Sequence, residues 1–284
     1  GGSGASRVTV EVAEDEAFTK VASTGSVDLS PGTDWTARFL ATRLKPGREY
    51  WYRFIDDFGF ASRVGRTITA PADHAQSPVR FAFASCQMVS EGACNAYRKM
   101  IFEDRAKPAD ERLHFVLHLG DFIYEVISYP EDGKDGMRRG RRLRDLFRFP
   151  VGEKIGDFHI PVTLDDYRTV YRAYLEDPDL QDARARWPFV CVWDNHEFSW
   201  TGYQSQQVFG GKVIPAQRRR VAANQAWWEY IPARVVKSGD DSLDTFTPPQ
   251  VADVPIDRFA SDLVEAEGVL LLPGSRFGHS GQHF

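Results

Sequence analysis

The sequence predicts a mixed α/β domain preceded by a small all-β domain. Up to about residue 71, stretches in which apolar and polar residues alternate are separated by turn sequences such as KPG at residues 45–47, as is typical of antiparallel strands. After a linker at residues 71–77, short apolar stretches alternate with helical patterns, which indicates a sheet with buried parallel strands. We therefore predict domains at residues 1–76 and 77–284.

Three strands are predicted in the all-β region, at residues 8–12, 35–40 and 50–54. Residues 44–52 resemble the turn and tyrosine segment of fibronectin type III and immunoglobulin-like domains. Such a sandwich has about seven strands. We therefore expect this domain to be N-terminally incomplete, with its first strands before residue 1.

The second region supplies the elements of the α/β core. Apolar stretches predict strands at residues 80–85, 114–119 and 189–193, and helical spacing predicts helices at residues 95–104, 164–175 and 215–230. Residues 132–158 are rich in glycine and arginine, and we predict a surface loop there. Its basic residues either form a solvated face or attract polyanionic substrates.

Composition and charge exclude several classes of protein. The formal net charge of -5 and the pI near 5.8 argue against a specific nucleic-acid partner. No stretch reaches the ~18 consecutive apolar residues that a membrane helix needs, so no membrane span is predicted. Three cysteines are too few for a disulfide framework. Any export signal would precede residue 1, and the sequence does not give the oligomeric state.

Each predicted core strand runs directly into polar residues. Cys86 follows the first strand, Asp121 and Tyr124 follow the second, and Asn195 and His196 follow the third. Because ligands collect beyond the carboxyl ends of the strands in α/β sheets, we expect these side chains to meet at one edge. A set of sulfur, oxygen and imidazole donors suits a metal better than a single covalent nucleophile.

These strand ends carry the sequence pattern of a known family. Residues 83–87 (FASCQ), 118–125 (HLGDFIYE) and 193–197 (WDNHE) resemble the corresponding segments of PhoD-like alkaline phosphatases, which are calcineurin-like metallophosphoesterases. The resemblance runs from about residue 7 to about residue 258. It implies a metallophosphoesterase sandwich of two β-sheets flanked by helices. It also implies an exported enzyme, periplasmic or extracellular, that hydrolyses phosphate monoesters or diesters.

The resemblance also implies the metals and the role of each site residue. Cys86 and Tyr124 would ligate Fe(III), and Asp121 would bridge it to Ca(II) or another divalent metal. Asn195 would ligate that second metal, and His196 would be the catalytic residue beside the reacting phosphate. A water activated by the two metals would attack the ester without a covalent phosphoenzyme.

The end of the sequence departs from the family pattern. The histidine segment expected after residue 260 is absent, and residues 265–278 resemble instead the C-terminal region of pyridoxal-phosphate aminotransferases. We therefore expect an incomplete metallophosphoesterase domain, to which the residues after about 259 are doubtful additions. The missing C-terminal half is expected to impair hydrolysis. Two alternatives stay open: a metal-free hydrolase that uses Cys86 and His196, and a non-catalytic remnant or binding protein.

Overall fold

The computed structural model describes residues 7–73, 75–76, 78–129, 131, 137–138, 141–142, 146–156, 158–199, 206–209 and 212–232. These residues fall into two compact units. Within the described ranges, the first unit comprises residues 7–28 and 38–79, and the second comprises residues 29–37 and 80–232. The domain division predicted at residues 76 and 77 stays a prediction.

The first unit contains an antiparallel sheet. Four strands pair in the order second, first, third, fourth: β1 (Arg7–Ala13), β2 (Val21–Asp28), β3 (Glu49–Asp56) and β4 (Gly65–Ile68). Val10, Val12 and Tyr50 are buried together, and Phe39 and Leu44 pack against them. The predicted strands at residues 8–12 and 50–54 are confirmed as parts of β1 and β3.

Tyr50 ties the turn before β3 to its own strand. Its buried hydroxyl accepts a hydrogen bond from the backbone N–H of Lys45 (2.9 Å). A tyrosine bonded to the backbone a few residues upstream is a feature of immunoglobulin-like sandwiches. The described residues of this unit form a single sheet, so the fibronectin type III interpretation stays a prediction.

The prediction of a strand at residues 35–40 is wrong. Asp34 and Trp35 have left-handed φ angles of 49° and 62°, which end the extended pattern, and none of residues 35–40 lies in a strand. Asp34 belongs to the second unit, where its carboxylate accepts hydrogen bonds from Arg172 and Tyr230, 138 and 196 positions away. These distant contacts outweigh the local alternation.

The second unit is built on a parallel sheet. In chain order its strands are β5 (Phe81–Ala84), β6 (Phe115–His118), β7 (Met137–Arg138), β8 (Arg141–Arg142), β9 (Glu153–Ile155), β10 (Phe158–Ile160), β11 (Phe189–Cys191), β12 (Gln206–Phe209) and β13 (Lys212–Pro215). β6 lies between β5 and β11, and both pairings are parallel. The other strands form two-stranded antiparallel ladders. The three predicted core strands and the mixed α/β class are thereby confirmed.

Four α-helices accompany this sheet in the described residues: α1 (Asn95–Arg105), α2 (Leu164–Leu175), α3 (Pro178–Arg186) and α4 (Gln217–Tyr230). α1 and α2 confirm their predictions, and α4 begins two residues later than predicted because Pro215 ends β13. α3 was not predicted, because it is short and mostly polar and is started by the Asp177 cap. None of the helices in the described ranges is long and apolar enough to cross a membrane.

Asp166 organises the beginning of α2. It forms a capping box with Thr163. Its buried carboxylate also accepts hydrogen bonds from the backbone N–H groups of Val151, Gly152 and Val162 (2.9–3.1 Å). Burial alone would raise the pKa of this carboxyl group, but the backbone donors lower it below its usual value. The ionised form therefore stabilises the fold.

We expect Asp166→Ala to lower the free energy of unfolding by roughly 3 kcal/mol at neutral pH, because it leaves several N–H groups unpaired. Since the pKa of Asp166 is lowered in the folded state, the stability due to its charge is fully present above the unfolded pKa of about 3.9. That stability is lost as the pH falls through the folded pKa. Urea denaturation at neutral and acidic pH measures both effects.

Asp165→Ala is the control, because the Asp165 side chain is 71% exposed and contacts Arg168 at 3.3 Å. Because the carboxylate of Asp165 is exposed to solvent, its pairing with Arg168 contributes less than about 1 kcal/mol. A loss of stability in Asp166→Ala no larger than that in the control would contradict the structural role of Asp166.

Candidate active site

The loops that follow β5, β6 and β11 lie at one edge of the parallel sheet, because the three strands run in the same direction. Beyond the strand ends, the N–H of Cys86 donates to the carbonyl of Gly120 (3.2 Å), and the N–H of Gln87 donates to the carbonyl of Asp121 (3.2 Å). The first two loops therefore stay paired past the sheet, which holds Cys86 next to Asp121.

Gly120 allows the second and third loops to approach each other. Its φ of +99° lies in the left-handed region that favours glycine. A Cβ at this position would lie 2.5 Å from the Cβ of Asp194 and 2.8 Å from its backbone nitrogen. Glycine is therefore required here both for the backbone turn before Asp121 and for the space that the third loop occupies.

We expect Gly120→Ala to lower the free energy of unfolding by about 2–4 kcal/mol, because it combines a disfavoured φ with an overlap against backbone atoms. Gly156→Ala is the matched control in the same unit, since Gly156 has a φ of +61° and nothing lies within 4 Å of an added Cβ. The control should lose only about 1–2 kcal/mol. Urea denaturation measures the free energy of unfolding of both variants. Equal losses in the two variants would contradict the requirement for glycine at the contact between the two loops.

Three of the predicted site side chains cluster around one carboxylate oxygen. Oδ2 of Asp121 accepts hydrogen bonds from Sγ of Cys86 (3.4 Å) and from the hydroxyl of Tyr124 (3.3 Å). Oδ1 of Asp121 accepts a hydrogen bond from the backbone N–H of His196 (3.2 Å), which brings in the third loop. Asp121 is buried, Tyr124 is half-buried and Cys86 is exposed. Solvent therefore reaches the thiol side of the cluster.

The backbone is strained at two of these residues. Cys86 and Asp121 have φ angles of +56° and +53°, although neither is a glycine. Each left-handed residue costs about 1–2 kcal/mol, and such strain persists where the surroundings fix the conformation, often at functional sites. The sequence shows no feature that predicts these two angles.

Glu197 joins the second loop to the third. Its buried carboxylate accepts hydrogen bonds from the backbone N–H groups of Asp121 (3.0 Å), Phe122 (2.5 Å) and Asp194 (2.6 Å). Burial raises the pKa of Glu197 to about 7, although the three backbone donors act in the opposite direction. A single side chain therefore fixes the backbone on both sides of Asp121 relative to the loop that carries His196.

Glu125 orients the ring of His196. Nδ1 of His196 lies 2.7 Å from Oε2 of the fully buried Glu125. Burial lowers the pKa of His196, but the hydrogen bond and charge of Glu125, with smaller effects of Asp121 and Glu197, raise it above its usual value. The ring of Tyr124 lies 4.0 Å from the ring of His196, centroid to centroid. The imidazole is thus held on two sides.

Asn195 lies in the 3₁₀ turn Asn195–Glu197 that also carries His196. It is half-buried, and its backbone N–H donates to the carboxylate of Asp194 (2.8 Å). The turn places Asn195 at the same sheet edge as the cluster around Asp121. Its role as a metal ligand stays a prediction.

Comparisons with known proteins identify the family that these segments belong to. The family model described as "PhoD-like phosphatase" matches residues 81–248, and the model of the N-terminal domain of PhoD-like phosphatases matches residues 2–71. The chain belongs to the PhoD-like phosphatase family. The resemblance predicted from the three strand-end segments is thereby confirmed.

Two relatives show how much of such a protein the chain contains. Alkaline phosphatase D of Bacillus subtilis (strain 168) is 34% identical over 227 residues, which cover 79% of this chain and 35% of that protein. A solved structure titled "Structure of PhoD" matches with a TM-score of 0.68 and 32% identity, covering 85% of this chain and 42% of that one. The chain therefore spans less than half the length of these PhoD-like relatives.

The cluster around Asp121 combines a carboxylate, a thiol and a phenol, which are donor types that suit a metal ion. Among the residues that the structure describes, no group of three or more His, Cys, Asp and Glu side chains could hold a metal ion. The cluster reaches three donors by including the phenol of Tyr124. Burial, the hydrogen bond of Cys86 and the charge of Asp121 raise the pKa of this phenol well above its usual value. A bound cation would favour the ionised thiol and phenol, so the donors fit a metal of high charge.

The sequence interpretation missed Glu125 as the partner of His196. The available indication was a second carboxylate four positions after Asp121, but only the fold shows which histidine it reaches, 71 positions away. The spacing of Tyr167, Tyr171 and Tyr174 predicts that they share one helical face, but it does not indicate that they contact the site loops.

Two further predictions fall mainly outside the described residues. Most side chains of the basic run at residues 138–148 are not described; Arg148 is, and it pairs with Glu131 (3.1 Å) and lies over the ring of Tyr129 (4.0 Å). The aminotransferase-like residues 265–278 also lie outside the described ranges.

Proposed function

We propose that this chain hydrolyses phosphate monoesters or diesters by means of a water activated by Fe(III) and by Ca(II) or another divalent metal. The observation that carries the proposal is the shared carboxylate oxygen of Asp121, which lies within 3.4 Å of the Cys86 thiol and within 3.3 Å of the Tyr124 phenol. The relatives that match the chain are named as phosphatases.

The proposal assigns each donor a role that follows from its chemistry. Cys86 and Tyr124 would supply anionic ligands for Fe(III), Asp121 would supply a carboxylate shared by the two metals, and Asn195 would supply a neutral oxygen to the second. When bound, such a pair of metals polarises the phosphoryl oxygens and lowers the pKa of a coordinated water. The strained backbone at Cys86 and Asp121 supports the assignment, because it holds both donors toward one point.

His196 is the proposed catalytic residue. Its Nδ1 hydrogen bond to Glu125 leaves Nε2 to donate a proton to the departing alkoxide. The buried carboxylate of Glu125 stabilises the positive charge on the ring.

The two-sheet sandwich and the fibronectin type III domain predicted from the sequence are also proposals. We propose that the parallel sheet is one layer of the family's two-sheet sandwich, because a parallel sheet is normally covered on both of its faces. Phe83 on β5 is 73% exposed, and Phe81 stacks on Phe115 without being fully buried, which supports a second layer over this face. The hydrogen bond from the backbone of Lys45 to the hydroxyl of Tyr50 supports the fibronectin type III assignment of the first unit. The family resemblance separately supports export of the protein.

The thiol hydrolase is the less favoured alternative. That mechanism requires the imidazole of His196 as the base beside the thiol, whereas the partner of Cys86 Sγ is the carboxylate of Asp121, and Nδ1 of His196 is bonded to Glu125. It would also leave the phenol of Tyr124 without a role.

Hydrolysis of 4-nitrophenyl phosphate and bis(4-nitrophenyl) phosphate tests the proposal. The chain is loaded with Fe(III) and Ca²⁺ and compared with His196→Ala and with a chelator-treated sample. We expect activity in the loaded chain that the chelator removes and that His196→Ala lowers by about 100-fold or more. Activity that survives the chelator would support the thiol mechanism. Metal-loaded protein without activity would support a binding remnant.

A further inference from the structure

Three tyrosines form a buried row on α2. Tyr167, Tyr171 and Tyr174 are separated by four and three positions, so they lie on one face of the helix. All three are 0% exposed. A buried hydroxyl normally has a hydrogen-bond partner, and the partners of these hydroxyls differ.

Two members of the row contact the loops of the candidate site. The hydroxyl of Tyr174 accepts a hydrogen bond from the backbone N–H of Tyr124 (3.0 Å). The hydroxyl of Tyr167 donates to the carbonyl of Phe198, which is two positions after His196. One helix therefore supports both the loop that carries Tyr124 and the loop that carries His196.

Tyr171 contacts neither loop by a hydrogen bond. Within the part of the chain that the structure describes, its hydroxyl has no hydrogen-bond partner. Its ring stacks on the ring of Tyr230, with the centroids 5.2 Å apart. Tyr171 thus matches Tyr174 in burial and helix position but lacks the contact with the site.

α2 is itself firmly held, so it can act as a fixed reference for the loops. On α2, Arg168 forms hydrogen bonds to both carboxylate oxygens of Glu229 on α4 (2.7 and 2.8 Å) and to the carbonyl of Gly32 (2.7 Å). Both Arg168 and Glu229 are buried. The carboxylate of Asp166, two positions before Arg168, holds the backbone around the start of the same helix, as described above.

We infer that Tyr174 is a positioning residue for Tyr124. Its hydroxyl holds the backbone of Tyr124 so that the phenol stays 3.3 Å from Asp121 and the ring stays 4.0 Å from His196. Loss of the hydroxyl leaves the N–H of Tyr124 without this partner and frees the ring that packs on the imidazole. The role of Tyr124 as a metal ligand rests on the proposed function, whereas the positioning of its backbone does not.

Tyr174→Phe tests the inference against Tyr171→Phe, which removes an equally buried hydroxyl from the same helix. The first measurement is hydrogen exchange of the Tyr124 amide in metal-free protein. We expect exchange at least about 10-fold faster in Tyr174→Phe and unchanged in Tyr171→Phe, because only the former loses the acceptor. The urea midpoints of the two variants should be similar, which separates a local effect from general destabilisation.

The second measurement is the visible absorption of the protein loaded with Fe(III), since a phenolate bound to Fe(III) absorbs in this range. We expect the band to be shifted or weakened in Tyr174→Phe and to match that of the parent in Tyr171→Phe. Parent-like exchange of the Tyr124 amide in Tyr174→Phe would overturn the inference whether or not iron binds. If the parent binds no iron, the proposed function fails on its own, and the exchange measurement still decides for or against positioning by Tyr174.

Discussion

Asp121→Asn is expected to abolish metal binding and to lower kcat/KM by at least about 1000-fold. The side chain of Asp121 contacts the thiol, the phenol and the third loop together. Asparagine keeps the shape but lacks the charge needed to bridge two cations, and the metals supply several kcal/mol of transition-state stabilisation. Elemental analysis and hydrolysis of 4-nitrophenyl phosphate measure the two losses.

Asp179→Asn is the matched control for this change. Asp179 is 3% exposed and Asp121 is 6% exposed, and both carboxylates lie in the second unit. Asp179 pairs with Arg98 (2.8 Å) on α1 and contributes nothing to the cluster. The control should keep its metals and most of its activity. Metal retained by Asp121→Asn, or lost equally by both variants, would contradict the bridging role.

Glu125→Gln is expected to lower kcat by about 10- to 100-fold while the metal content stays unchanged. Glu125 contacts Nδ1 of His196 and is not among the proposed metal ligands, so its loss disturbs the orientation and protonation of the ring without removing a ligand. Steady-state kinetics and elemental analysis on the same samples separate the two effects.

The double variant Glu125→Gln, His196→Ala provides the control. If Glu125 acts through His196, adding Glu125→Gln to His196→Ala should lower kcat no further. A fully additive loss would contradict the proposed pairing and would indicate a separate role for the buried carboxylate.

The core strands and two helices were predictable because their patterns are local. β5, β6 and β11 are short apolar stretches, and the apolar residues of α2 recur at helical spacing, so each could be assigned without knowing its neighbours. Residues 35–40 show the limit of this approach. Their alternation is typical of a strand, but Asp34 is held by Arg172 and Tyr230, and the resulting left-handed turn cannot be derived from local sequence.

The residues of the candidate site could be predicted from the sequence, but the side chains that hold its loops in place could not. Cys86, Asp121 and His196 each follow a core strand, and parallel pairing brings such positions together. The contacts that orient them join distant positions: Tyr174 lies 50 positions from Tyr124, and Glu197 lies 76 positions from Asp121. Only the packed structure determines which partner each backbone N–H group finds.

Iron content of the purified chain, measured beside Cys86→Ala and Cys191→Ala, tests the central claim most directly. Cys191 is a matched control because it is also a free cysteine, located on β11 rather than in the cluster. The account predicts about one iron per chain in the parent and in Cys191→Ala, and little in Cys86→Ala. Absence of iron from the parent after loading with Fe(III), or equal iron in all three proteins, would contradict a metal centre built on Cys86, Asp121 and Tyr124.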